Sequence, residues 1–280
     1  MIFTREENSI RVIDKTQFNI KHILECGQIF RFKQIENGYR VFTVDKKADI
    51  VEAESYYEIF CNKSDIEYFI NFFDLNTDYN LIKADLLRST SNNEFLKEAI
   101  SYGYGIRILN QNLFEMIISF IISANNNIKR IQGIIERLCK NLGKNMGEYY
   151  AFPDCESLAA QSEDFYKNCG AGYRASYLTE SSKRLVNFNY NELKNLPPLE
   201  ARAKLLSFKG VGGKVADCIM LFGMHNMEVF PVDTWIEKVY FDIFGGEKIT
   251  RERIRNNLTD YFGSLSGYAQ QYLFYFKREN

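Results

Sequence analysis

The sequence of 280 residues has two histidines, His22 and His225, and one tryptophan, Trp235. Two imidazoles are too few for a histidine-rich metal centre. Its six cysteines, at positions 26, 61, 139, 155, 169 and 218, form no CxxC pair, and none lies beyond 218. That spacing argues against a zinc site or a disulfide framework and for free thiols. No apolar run reaches the roughly 20 residues that cross a bilayer. The longest, near Phe114 to Ala124, is interrupted by Glu115. No apolar signal stretch opens the chain, so a cytoplasmic location is expected. A strong charge of either sign is also missing, since the net charge is −1. Residues 1–100 carry 13 basic and 17 acidic side chains, whereas the remainder has a net charge of +3. Any polyanion is therefore expected on the second part.

What is present divides into two kinds of segment. Near the start, "IFRFKQI" (29–35), "YRVFTVD" (39–45), "DIVEAE" (49–54) and "YYEIFC" (56–61) are short and rich in β-branched and aromatic residues. "ENG" and "DKK" punctuate the first three, which predicts an antiparallel meander. From about residue 64 the apolar spacing turns helical. "NLFEMIISFIIS" (112–123) is apolar nearly all round and predicts a buried central helix. The next segment places Ile128, Ile131, Ile135, Leu138 and Leu142 at helical spacing. Pro197-Pro198 opens a further helix, and Asp233 stands in an N-cap position before "TWIEKVYFDIF". The expected fold class is α+β. An antiparallel β-rich N-terminal domain (1–100) precedes a mostly α-helical domain (101–280).

"SFKGVGGKVADC" (207–218) carries three glycines in four residues and then a lysine. It is not a P-loop, because Val215 follows Gly213-Lys214 where Ser or Thr is required. It is not a dinucleotide fingerprint either, because Val215 stands at the third glycine position and no strand leads in. The pattern predicts a helix, a tight glycine turn and a second helix. Such a turn at a helix N-terminus suits one phosphate. It serves equally as a plain connection between helices, and composition does not choose between the two.

Six separated motifs do choose. "CGQIFRF" (26–32), "SANNNIKRI" (123–131), "GAGYRASY" (170–177), "GVGGKVADC" (210–218), "PVD" (231–233) and "GYAQQYLF" (267–274) occur in one order along most of the chain. Together they resemble the 8-oxoguanine DNA glycosylase/AP lyases of the helix-hairpin-helix (HhH-GPD) DNA glycosylase superfamily. The separation of 19 residues between Lys214 and Asp233 also suits that superfamily.

The resemblance implies a base excision repair enzyme that removes 8-oxoguanine from double-stranded DNA and then cleaves the strand. Lys214 would be the nucleophile and form a Schiff base; Asp233 would be the catalytic carboxylate. Cys218 and Phe274 would sandwich the extruded base, with Gln270 bonding its Watson–Crick edge. The carbonyl of Gly27 would accept from N7–H of the lesion, where guanine offers only another acceptor. Trp235 would either stack in the same pocket or merely pack beside it. Asn125, Arg130, Tyr173 and Arg174 would fill the gap and hold the orphaned base, the two arginines predicting a preference for cytosine. Gly210, Val211, Gly212 and Gly213 would form the DNA-phosphate hairpin. Neither a required cofactor nor an iron–sulfur cluster is implied; a monovalent cation at the hairpin is compatible. A monomer is expected, located with nucleoid DNA in a bacterium or in the nucleus of a eukaryote.

Each of these residues also has a plainer reading. Lys214 serves as a phosphate contact or a solvated lysine, Asp233 as a helix cap, and Gly27 as a turn glycine between strands. Cys218 and Phe274 read as core, Gln270 as surface, and Arg130 and Arg174 as exposed charges. A neutral lysine is needed for attack, and its free pKa is about 10.4. Burial and the helix N-terminus pull that value down, whereas Asp233 pushes it up. The expectation is that the helix position helps Lys214 lose its proton.

Two departures stand out. Trp235 occupies the place of a histidine common in animal members, and Lys209 replaces a proline before the hairpin. Two rival readings are an oxidised-pyrimidine glycosylase and a non-catalytic hairpin that only grips DNA. The first rival often carries a four-cysteine cluster after the hairpin, which this chain lacks.

Overall fold

The computed structural model describes residues 2–91 and 93–280. Six strands form one antiparallel sheet: β1 (Phe3–Arg5), β2 (Ser9–Val12), β3 (Phe32–Ile35), β4 (Gly38–Thr43), β5 (Lys46–Glu52) and β6 (Tyr57–Phe60). Their spatial order is β1-β2-β6-β5-β4-β3. The expected meander is β3 to β6, with register pairs such as Val41 with Ala48 and Ile50 with Ile59. Strand β3 begins at Phe32, three residues later than the pattern suggested, because residues 29–31 turn inward towards the helices. Strands β1 and β2 were not anticipated. They are three and four residues long, and β1 is largely exposed.

Alternation decides which face is buried. In β4, Tyr39, Val41 and Thr43 point inward while their neighbours are partly exposed. That face packs on Phe18, Ile23, Leu24, Phe69 and Phe73.

The helices are α1 (Ile20–Glu25), α2 (Ile66–Phe72), α3 (Tyr79–Ser89), α4 (Glu94–Tyr102), α5 (Leu113–Ser123), α6 (Ile128–Leu142), α7 (Cys155–Ala159) and α8 (Glu163–Asn168). They continue with α9 (Arg174–Leu185), α10 (Tyr190–Asn195), α11 (Pro198–Leu206), α12 (Gly213–Gly223), α13 (Thr234–Phe244), α14 (Arg251–Phe262) and α15 (Ser266–Glu279). Helix α5 is buried on nearly all sides, as its apolar circumference requires, and packs on α6, α9 and α12. On α6 the buried stripe is Ile131, Ile134, Ile135 and Leu138; Ile128, at the first turn, is 38% exposed. A second helical cluster joins α3 and α4 to α13, α14 and α15.

Glu115, the one charge inside α5, bonds the sheet to the helices. Its Oε2 accepts from Val44 N at 2.8 Å, and Arg31 Nη1 lies 3.6 Å from Oε1. Both side chains are buried. No helix among the described residues is long and apolar enough to cross a membrane.

Candidate active site

Helices α11 and α12 meet at the glycine turn. Proline at the first position of α11 presets its φ, and the helix ends at Ser207. Gly210 has φ +83°, and a Cβ there would lie 2.4 Å from the ring of Tyr177. Only glycine fits such a position. Val211 is buried and donates to Phe208 O at 3.1 Å, which closes the turn. Gly212 is different: it is exposed, with nothing within 4 Å of where its Cβ would stand. It caps α12 without a side-chain bond, so the first amides of that helix are open to an anion.

Behind the turn, Asp217 is buried between two arginines. Arg202 Nε donates to Oδ1 at 2.8 Å, and Arg255 Nε lies 3.1 Å from both carboxylate oxygens. Arg202 also bonds Glu252. This network fixes α12 against α11 and α14.

Lys214 is the second residue of α12, and Cys218 follows one turn later. The ammonium lies 5.5 Å from the centre of the Phe120 ring, and the buried Cys218 is within electrostatic reach. Burial pulls the lysine pKa down, but Cys218 and the Asp233 carboxylate push it up, and the net direction is upward. The expected depression at the helix start is therefore outweighed by these two neighbours. Burial pushes the Cys218 thiol up to about 11, against the pull of Lys214. Lys214 is thus protonated and Cys218 a neutral thiol in the free protein near pH 7.

Asp233 is the cap of α13: Oδ1 accepts from Trp235 N at 2.9 Å and Ile236 N at 3.0 Å. The cap holds the carboxylate where its field reaches Lys214. Trp235 is half-buried, with Lys238 Nζ 4.7 Å from its ring centre.

The same loop leads to the last helix. Gln270 on α15 is buried, and its Nε2 donates to Pro231 O at 3.4 Å. Its Oε1 is buried without a partner. Phe274 lies one turn further along and touches the turn after α1, for a Cβ on Gly27 would sit 3.3 Å from Phe274 Cε1. Gly27 has φ +86° and connects a helix to a strand, not two strands. Gln28 pins that turn: its Nε2 donates to Arg107 O at 2.8 Å, and its Oε1 accepts from Leu109 N at 2.8 Å. Helix α15 therefore joins the loop before Asp233, through Gln270, to the Gly27 turn, through Phe274.

Asn125, Arg130, Tyr173 and Arg174 gather elsewhere, where α5 gives way to α6 and α9 begins. Asn125 is exposed, with φ +48°. Tyr173 is 54% exposed, and its hydroxyl donates to Ala124 O at 3.1 Å. Arg130 is exposed and reaches Gly170 O at 3.3 Å. Arg174 is buried, unlike the exposed charge that its sequence context suggested. Its Nε donates to Ala124 O at 2.7 Å and its Nη2 to Asn125 O at 2.5 Å.

Several contributors were not anticipated. Phe120 was hidden in the uniformly apolar α5. Asp217 could have been flagged as the lone acid in an apolar helix, but its partners Arg202 and Arg255 come from other elements. Gln271 and Arg278, beside Gly27, carry no local signal that sets them apart from other polar residues of a terminal helix.

The open glycine turn, the lysine on the helix behind it and the capping aspartate thus stand on three neighbouring elements. Comparisons with known proteins identify the family. Residues 10–117 match the 8-oxoguanine DNA glycosylase N-terminal domain family, and residues 118–263 match the HhH-GPD superfamily of base excision DNA repair proteins. A probable N-glycosylase/DNA lyase of Methanothermobacter thermautotrophicus is 30% identical over 235 residues, covering 75% of this chain and 72% of that one. The N-glycosylase/DNA lyase of Saccharomyces cerevisiae is 28% identical, covering 81% and 68% respectively. Among solved structures, the Clostridium acetobutylicum 8-oxoguanine glycosylase/lyase, in complex with DNA containing cytosine opposite 8-oxoguanine, superposes with a TM-score of 0.93. It is 38% identical and covers 100% of this chain and 98% of that one. The chain belongs to the 8-oxoguanine DNA glycosylase/lyase family, whose members are bifunctional N-glycosylases and DNA lyases.

Proposed function

We propose that this enzyme flips 8-oxoguanine out of duplex DNA, preferably from opposite cytosine, and excises it with Lys214 as nucleophile. The observation that carries this reading is the buried, unpartnered Oε1 of Gln270. A buried acceptor without a donor is costly. Guanine-type bases present N1–H and N2–H donors on the edge that Gln270 would meet. Because the amide nitrogen is directed at Pro231 O, the oxygen is the free end.

In the proposed reaction the open amides of Gly212 and Gly213 hold a backbone phosphate. Neutral Lys214 attacks C1′ of the sugar; the bond from C1′ to the base breaks, and its electron pair leaves with the base. Asp233 stabilises the positive charge that develops on the sugar. Opening of the sugar ring gives a Schiff base between C1′ and Nζ. Loss of a C2′ proton then expels the 3′ phosphate by β-elimination. The resting lysine is charged, so its proton must leave first, and the Asp233 carboxylate is the adjacent base.

Residues 1–100 supply Gly27, and residues 101–280 supply the rest of the site. Lysine and carboxylate provide the chemistry, so no cofactor is required. The carbonyls of Gly210 and Val211 accept no bond among the described residues and suit a monovalent cation beside the phosphate. The enzyme would act as a monomer wherever the genomic DNA lies.

The test is a duplex with one 8-oxoguanine opposite cytosine, mixed with the protein and borohydride. A covalent adduct that disappears in Lys214→Gln is expected. No adduct and no base release would overturn the reading, and preferential trapping on an oxidised pyrimidine would favour the rival specificity.

A further inference from the structure

Gly27 lies in a run of backbone whose neighbouring carbonyls are all held. Arg278 Nη2 donates to Glu25 O at 2.5 Å, and Gln271 Nε2 donates to Cys26 O at 2.7 Å. On the other side, Gln111 Nε2 donates to Gln28 O at 2.8 Å. No donor among the described residues takes the carbonyl of Gly27. That oxygen is left as the one free acceptor in four consecutive residues.

Two of these grips come from one helix. Gln271 and Arg278 are seven residues apart on α15, about two turns, so they lie on one side of it. Gln270 and Phe274 occupy the adjoining stripe of the same helix. The Arg278 guanidinium carbon lies 5.4 Å from the centre of the Phe274 ring. Its Nη1 is buried without a partner, 3.3 Å from where a Cβ on Gly27 would stand. Arg278 therefore touches both the Gly27 turn and the Phe274 ring.

We propose that Gln271 and Arg278 form a clamp that fixes the Gly27 carbonyl relative to Phe274, and that this rigidity sets selectivity for 8-oxoguanine over guanine. The inference rests on the reading above, in which that carbonyl accepts N7–H of the lesion. Guanine has an acceptor at N7, so a guanine in the pocket meets the carbonyl lone pair against lone pair. The repulsion discriminates only if the carbonyl cannot turn aside. A peptide flanked by two held carbonyls resists that rotation, whereas a loose turn would yield. Gln271 and Arg278 are thus positioning residues, acting through Gly27.

The test compares single-turnover rates on an 8-oxoguanine:cytosine duplex and on a duplex with a preformed abasic site. Abasic DNA needs Lys214 but has no base to recognise. Arg278→Leu and Gln271→Leu are expected to lower the ratio of 8-oxoguanine excision to abasic-site cleavage at least tenfold. Arg278→Lys, which keeps one donor for Glu25 O, should restore part of it. In a Lys214→Gln background, the same leucine changes should narrow the gap in Kd between 8-oxoguanine and guanine duplexes. If Arg278→Leu fails to fold, Gln271→Leu with retained abasic-site cleavage carries the test. Unchanged ratios in folded variants of a wild type that excises 8-oxoguanine would overturn the clamp alone. A wild type that cleaves abasic DNA but leaves 8-oxoguanine untouched would overturn the reading on which the clamp rests.

Discussion

The Asp233 carboxylate, capping the next helix, lies within electrostatic reach of Lys214 and favours its charged form. Attack by Lys214 needs the neutral amine, so the proposed catalytic carboxylate also restrains the proposed nucleophile.

A pH dependence follows. The free-enzyme profile of kcat/KM reports the free enzyme's groups. Since the Lys214 pKa is raised, abasic-site cleavage should climb with pH through the neutral and mildly alkaline range. Asp233→Asn removes an upward influence on Lys214, so the limb of its residual rate should move to lower pH. Paired pH–rate profiles on abasic DNA check this, and superimposable limbs would refute the coupling.

Asp233 caps α13 and is the proposed catalytic carboxylate, and two substitutions separate these roles. Asparagine keeps a side-chain oxygen for the amides of Trp235 and Ile236 but removes the carboxylate charge. Asp233→Asn should keep a near wild-type Tm while excision falls by about 100-fold or more. Asp233→Ala should lose the rate and also about 1 kcal/mol of stability. Equal Tm values for the two variants would remove the structural half of this account.

The hairpin glycines should divide by effect. At Gly210 an added methyl collides with the ring of Tyr177, and φ is +83°. Gly210→Ala is therefore expected to lower Tm. Gly212→Ala meets open space at φ −90°, so its Tm should be unchanged. There the methyl enters the region a phosphate would occupy, and DNA affinity should fall. Thermal melts and binding titrations at one fixed salt concentration distinguish these outcomes.

The two arginines proposed to hold the orphaned base should also behave differently. Arg130 is exposed with one long bond to Gly170 O, whereas Arg174 is buried and bonds Ala124 O and Asn125 O. Arg130→Ala should relax the proposed preference for cytosine while leaving Tm unchanged. Arg174→Ala removes a buried guanidinium with its bonds to Ala124 O and Asn125 O and should cost about 1–3 kcal/mol as well as disturb the Asn125 turn. Excision rates opposite all four bases, measured beside melting curves, test both.

Much of this protein was legible along the chain because the signals are local. The spacing of branched and aromatic residues gave the β3–β6 meander, and an apolar circumference gave the buried α5. Proline opened α11, and Asp233 capped α13 as its position required. Short, partly charged β1 and β2 escaped because three or four residues carry too little periodicity.

By itself, the sequence determined which residue types stand at which helical offsets: Lys214 four before Cys218, Gln270 four before Phe274, glycine where φ must be positive. Periodicity, capping and steric limits act within a few residues, so they can be read without knowing the fold. Only the tertiary structure decided which offsets face one another. It buried Arg174, placed Asp217 between Arg202 and Arg255, and raised the Lys214 pKa through Cys218 and Asp233. It also brought Gln271 to Cys26, 245 positions away, leaving the Gly27 carbonyl free. Such contacts depend on how whole elements pack, and burial and partner charge exist only once that packing is complete.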